Sequence, residues 1–424
     1  MSDLNVSDVL AEANTIYQEV NEANTVDSNI ENALDTAEAV GASVDGIKTE
    51  SINSVNLRLL KITMENALGF DLVNEIKAGI KMEDGTNRTQ TKLVYESVKQ
   101  VVRDFWNALK SSFNAIWARL KTWFITVTSA SESLIKKANK IKSDAEKLTT
   151  SPSERNFEFK NYKNVHFDGK VTSGLLRGGL KELKGLLDQS LNVRTTNEVE
   201  NFIEAAENAL DDFVKSTNAT APDSSWVNRF SDLYTPSVGV QTNPLSDPYQ
   251  KEQVIHDDAN ADYKISNRLP GNKAVVFAEV KASSTLPMYE KIGLTFARFV
   301  NFNKKEFSEQ AVRAETLHPA QIADICDTVI DLNDQIAFYE KAWQRRDKFM
   351  NGVIKKLDNS VEKINSEEVE EEQAKIYKKT TRAILSAIKR SNTYNASLLN
   401  NVLSVSVGSL AYCEASLAFY KNSV

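Results

Sequence analysis

Apolar side chains recur at three- and four-residue steps over much of this chain. The clearest run is Lys92–Val127, where Val94, Val98, Val101, Phe105, Leu109, Phe113, Ile116, Leu120, Trp123 and Val127 fall on one stripe. That spacing follows the 3.6-residue period of an α-helix and predicts one long amphipathic helix. The polar run TSASES at 128–133 reads as a short connection. Beyond it Leu134, Ala138, Ile141, Ala145 and Leu148 predict a second helix, so the two are expected to form a helical hairpin.

The pattern changes at Pro152. All eight prolines lie between Pro152 and Pro319. Because proline breaks helix interiors, this region is expected to be mixed and its flanks helical. Phe157 and Phe159, then Val165 and Phe167, suggest two short strands about an Asn161–Asn164 turn. Helices are expected at about 173–191 and 196–216. Residues 217–262 hold four prolines and little periodicity, and read as a long irregular connection. YKISNRLPGNKAVVFAEVK gives two extended runs around Pro270-Gly271-Asn272, a hairpin signal, and Gly293–Phe302 suggests another strand.

Helical spacing returns at His318, with Ile322, Ile325, Val329, Leu332, Ile336, Tyr339, Trp343 and Met350 in register. SEEVEEEQ at 366–373 reads as an acidic helix start or a solvated turn. The last helix carries two stripes. One is Leu399, Leu403, Ser406, Leu410, Cys413, Leu417 and Tyr420; the other is Val402, Val405, Tyr412 and Phe419. Two apolar faces predict packing on several sides, and its serines, Asn400, Asn401 and Glu414 argue against a membrane span. The expected fold class is therefore mainly α: an N-terminal long amphipathic helical hairpin and a C-terminal helical bundle flanking a small α+β middle region. The expected boundaries are 1–65, 66–150, 151–317 and 318–424.

Charge sharpens this picture. The 424 residues carry a net −7. Residues 1–65 hold twelve acidic and three basic side chains, a net −9, which leaves +2 for the remainder. Residues 1–50, with short apolar side chains, are expected to be disordered or marginally helical. MSDLNVSDVLAEANT lacks the basic and apolar regions of a secretory signal, and no run of eighteen apolar residues occurs.

Candidate chemistry is sparse. His166, His256 and His318 have no histidine or cysteine partner at metal-ligand spacing, and His256-Asp257-Asp258 reads as an exposed loop. Phosphate-loop and nucleophile-elbow patterns are missing. Cys326 and Cys413, 87 residues apart, read as small buried apolar residues rather than a disulfide framework. The expectation is a non-enzyme without cofactor, metal or small-molecule substrate. Two basic groups, Lys136, Lys137, Lys140 and Lys142, and Arg345, Arg346 and Lys348 with Lys355 and Lys356, read first as solvated helix faces. Of these, Lys136, Lys137, Lys140, Arg345 and Arg346 are the candidates for non-specific contact with DNA phosphates. The Lys92–Val127 helix, net +4, can pack on a core, bind a partner helix or lie on a membrane. Trp106, Trp117 and Trp123 are its candidate membrane or partner contacts.

Five stretches together resemble the internal head proteins of large tailed bacteriophages. They are the acidic leader ending in RLLKITMENALGFD, FWNALKSSFNAIWARLKTWF with LIKKANKIKSDAEKL, YKISNRLPGNKAVVF, TLHPAQIADICDTVIDL and SLAYCEASLAFY. The resemblance implies a virion protein of the capsid interior, synthesised in the host cytoplasm. It further implies partnership with other virion proteins, packaged DNA and a prohead protease that removes a propeptide after a glutamate. Glu50 and Glu65 are the candidate cleavage sites, leaving net charges of +3 and +2. Leu10-Ala11-Glu12 and Ala130-Ser131-Glu132 also match such protease preferences. An ejected, host-directed effector acting through the Trp-rich helix is the alternative reading.

Overall fold

The computed structural model describes residues 118, 122, 124–149, 152–191, 241–254, 260–304, 307, 310–336 and 371–421. From residue 124 onward these belong to one compact unit, whereas Ala118 and Thr122 belong to another. In chain order the unit contains α1 (124–146), β1 (Asn156–Phe159), α2 (Ser173–Leu191), β2 (Thr242–Pro244) and α3 (Pro248–Glu252). There follow β3 (Ala261–Ser266), β4 (Lys273–Val280), α4 (Met288–Leu294), β5 (Phe296–Asn301), β6 (Val312–Glu315), α5 (319–336) and α6 (Glu371–Lys421).

The strands form two antiparallel sheets, β1-β6 and β2-β3-β4-β5. This overturns the mainly α expectation: the described fold is mixed α+β. The reason is that helices and strands share one core around α6. Near its C-terminal end Tyr412 packs on Phe157 and Phe159 of β1, and Phe419 packs on Phe157. Further up the helix Tyr394 stacks on Phe299 of β5, and Arg390 donates to the Ile292 carbonyl of α4 at 3.0 Å. The strands are thus load-sharing parts of the core and not an island between helical flanks.

Both stripes read for the last helix are realised. Leu399, Leu403, Ser406, Leu410, Cys413, Leu417 and Tyr420 are buried, as are Val402, Val405 and Tyr412, while Phe419 is half-buried. Thr393–Tyr420 is long and apolar enough to cross a membrane, but 61% of its most apolar window is covered by the rest of the fold. That coverage is what a core helix shows.

The expected turn at 128–133 is absent, because α1 runs unbroken through it. Thr128 Oγ1 donates to the Phe124 carbonyl at 3.1 Å and Ser133 Oγ to the Ser129 carbonyl at 3.1 Å. Each hydroxyl is satisfied by the turn before it instead of competing with the helix. Ala130 and Ser131 are fully buried, so small side chains here serve close packing and not a loop. The buried face then continues through Leu134, Ala138, Ile141 and Ala145, as their spacing predicted.

The Phe157/Phe167 hairpin is also corrected. β1 pairs with β6, more than 150 residues later in the chain, in the register Phe157↔Ala314 and Phe159↔Val312. Residues 162–166 turn instead, with Val165 and His166 both donating to the Tyr162 carbonyl. Part of the stretch expected to be irregular is ordered, too: β2 pairs with β3, and α3 is capped by Asp247, which accepts from Tyr249 N and Gln250 N. The β3–β4 hairpin is present about Pro270-Gly271-Asn272, closed by Leu269↔Lys273. Gly271 and Asn272 adopt φ of 73° and 59°, the left-handed region that glycine and asparagine tolerate best. The Gly293–Phe302 expectation resolves into the end of α4 followed by β5. α2 spans Ser173–Leu191 as read. The expected 196–216 helix lies outside the described residues.

β4 is buried on both faces. Ala274 and Val276 pack with Leu245, Val254, Ile265 and Val300, a cluster also lined by Tyr263, Phe296 and Phe302. Val275 and Phe277 point to the opposite face and are equally enclosed.

Candidate functional site

Glutamate 315, at the end of β6, ties three elements together. Its carboxylate accepts from Ser173 N at 2.6 Å and so caps α2, whose first turn has no acidic residue of its own. Its carbonyl accepts from Tyr412 OH of α6 at 2.8 Å. Burial, with the Glu315 charge adding to it, pushes the Tyr412 hydroxyl far above the usual phenol range, so this donor stays protonated. Gln321 of α5 completes the corner by donating to Ser173 Oγ at 2.9 Å.

A second polar junction joins the 160–172 loop to the four-stranded sheet. Asp168 and Gly169, with φ of 51° and 76°, make a two-residue turn closed by Phe167 and Lys170 exchanging both backbone bonds, at 2.8 and 3.0 Å. Asp168 accepts from Arg268 and from Asn303. Asn303 Oδ1 accepts from Asn272 Nδ2 at 2.6 Å, and the Arg268 guanidinium lies 4.1 Å over the Phe302 ring. Burial alone would raise the Asp168 carboxyl, but the Arg268 and Asn303 hydrogen bonds outweigh it and hold the group below its ordinary value.

His166 belongs to this junction structurally. Its carbonyl accepts from Gly271 N at 3.1 Å, its Nδ1 accepts from Gly169 N at 3.2 Å, and its ring packs against Tyr162 and Phe307. Burial lowers its pKa, with the Asp168 charge acting the other way. The sequence signal for this node was the Asp168-Gly169 pair between Phe167 and Lys170, which the strand reading passed over.

The predicted basic patch on α1 is divided by the fold. Lys137 forms an ion pair with Glu414 of α6 at 2.8 Å, and Lys142 reaches both oxygens of Asp327 on α5 at 2.7 and 3.0 Å. These two cations join helices. Lys136 and Lys140 are exposed on the opposite face. α5 is the common anionic element: Asp324 and Asp331 pair with Arg177 and Lys184 of α2, at 2.8 and 2.7 Å. Glu50, Glu65, Trp106, Trp117, Trp123, Arg345 and Arg346 lie outside the described residues, as do His256, Asp257 and Asp258. His318 starts α5: its N–H donates to Gln321 Oε1 and its Nδ1 accepts from Ala320 N. Among the described residues no group of three or more His, Cys, Asp or Glu side chains is placed to hold a metal ion. The junctions are therefore joints between elements, built of hydrogen-bonded carboxylates and tight turns.

Residues 3–415 match a single family description over nearly the whole chain. This chain belongs to the phiKZ-like phage internal head proteins. No curated protein and no solved structure matches it. Membership makes this internal head protein a structural component of the capsid interior of a bacteriophage virion.

Proposed function

We propose that this internal head protein is made with an acidic N-terminal propeptide, loses it to the prohead protease, and is stored beside the genome as a non-enzymatic body that leaves with the DNA. The observation that carries this reading is the segregation of charge. Residues 1–65 hold a net −9 and the rest +2, so removal of the leader relieves repulsion from packaged phosphates. The fold helps to choose the cut. Ala130 and Ser131 are fully buried in the middle of α1, so a protease that needs extended chain has no substrate at Glu132. That leaves Glu50 and Glu65, with Glu12 as the shorter alternative. Neighbouring virion proteins and DNA, bound without sequence preference, are its partners. Lys136 and Lys140 supply solvent-facing cations for phosphate; Lys137 is already engaged by Glu414.

Peptide mass spectrometry of purified virions tests the processing. The expected result is a new N-terminus after Glu50 or Glu65 and coverage extending unbroken through residues 124–146. Recovery of residues 1–50 at the same abundance as the body refutes it.

A further inference from the structure

α5 and α6 pack antiparallel, and two contacts fix their register. At one end Leu317 N donates to Ser416 Oγ at 3.2 Å and Tyr420 OH to the Leu317 carbonyl at 3.0 Å. At the other, Asn333 Nδ2 donates to Ser406 Oγ at 3.0 Å. Seven residues are nearly two helical turns, which returns a side chain to the same face. Stepping seven residues back from Asn333 reaches Cys326, and seven forward from Ser406 reaches Cys413. In antiparallel helices those steps end at the same level, so the two cysteines face each other. Both are fully buried and both are free thiols. A hydrogen bond with Cys326, reinforced by burial, pushes the Cys413 thiol well above its usual value. With helix axes about 8–10 Å apart and Cα atoms about 2.3 Å from each axis, facing Cα atoms approach to roughly 3.4–5.4 Å, and the upper part of that range is within the span a disulfide bridges.

We propose that Cys326 and Cys413 form a latent two-electron crosslink that staples α5 to α6 when the protein meets an oxidant. Two S–H bonds break and one S–S bond forms. The two protons and two electrons pass to the oxidant: a small-molecule disulfide is reduced to two thiols, or a diazene to a hydrazine. In a reducing cytoplasm the pair stays open; outside the host it can close. The thiols are shielded, so closure proceeds through opening of the helix pair or during folding. The crosslink joins positions 87 residues apart, and constraining so long a loop in the unfolded chain raises stability. This inference rests on the α5–α6 register and stands apart from propeptide removal.

The test uses the full chain in two arms, incubation of the native protein with diamide and refolding from urea in an oxidising glutathione buffer. The expected result is a monomer 2 Da lighter by intact mass, a tryptic crosslink between the Cys326 and Cys413 peptides, and a thermal midpoint raised by about 10 °C and restored by dithiothreitol. C326S and C413S single variants, each a small buried replacement, should show no oxidant-dependent shift. The proposal is overturned if both thiols remain alkylatable after refolding in the oxidising buffer, or if the crosslink forms and the midpoint falls. Only intermolecular dimers would overturn it equally.

Discussion

Gly178 and Gly179 are neighbours on α2, yet alanine at the two positions should move stability in opposite directions. A Cβ at Gly178 meets nothing within 4 Å. There alanine gains only its helix preference over glycine, about 1 kcal/mol, or a rise of about 2–4 °C in thermal midpoint for a unit of this size. A Cβ at Gly179 would stand 2.6 Å from Phe167 Cζ and 2.8 and 2.9 Å from Pro270 Cδ and Cγ. Ordinary contact begins near 3.4 Å, so the worst approach is about 0.8 Å too short. Neither neighbour can yield cheaply. The Phe167 ring is buried, which restricts where it can move, and Pro270 lies in the turn closed by Leu269↔Lys273 and by Gly271 N to the His166 carbonyl. Overpacking of this kind costs about 3 kcal/mol at the upper end of its usual range. Subtracting the same helix preference leaves a net loss of roughly 2 kcal/mol, or about 4–8 °C. Urea denaturation and differential scanning fluorimetry of G178A and G179A measure both. If G179A is as stable as G178A, then α2 does not rest on the 167–170 and 270–272 turns, and the packing described for that corner is wrong.

Two other perturbations probe the buried polar groups. His166 is lowered from 6.5 by burial, so the unfolded chain binds its proton first as pH falls. Stability should hold steady above about pH 7 and decline as pH drops through 6.5 towards the folded value; H166N should lose that decline in urea midpoints measured from pH 5 to 8, and a slope unchanged in H166N would refute it. Ser406→Ala should cost about 1 kcal/mol, because Asn333 Nδ2 keeps its 2.8 Å bond to the Val329 carbonyl. Asn333→Leu combined with Ser406→Ala should recover part of that loss by removing both polar partners, and simple additivity of two losses in a double-mutant cycle would contradict the pairing.

Elements with one strong local period were legible before any tertiary contact was known. The stripes of α5 and α6, the 173–191 helix and the Pro270-Gly271-Asn272 hairpin each carry their signal within a few turns or one tight loop. Elements defined by a distant partner were not. β1 is four residues long and finds its ladder in β6, so nothing within its own neighbourhood names that partner. TSASES looks like a connection because serine and threonine favour turns and caps. In the fold the Thr128 and Ser133 hydroxyls bond back along α1, and the small volume of Ala130 and Ser131 admits close neighbours.

The same division applies to the charged residues and the cysteines. Charge along the chain is additive and local, so the acidic residues 1–65 and the nearly neutral remainder were determined by sequence alone. Which lysines of the α1 patch remain solvent-facing was decided only by packing, because an ion pair needs two elements brought within reach of each other. Lys137 and Lys142 are taken by Glu414 and Asp327; Lys136, one residue from the first of these, faces outwards. Cys326 and Cys413 follow the same rule: their identity is written in the chain, but their meeting comes from the antiparallel register of two helices.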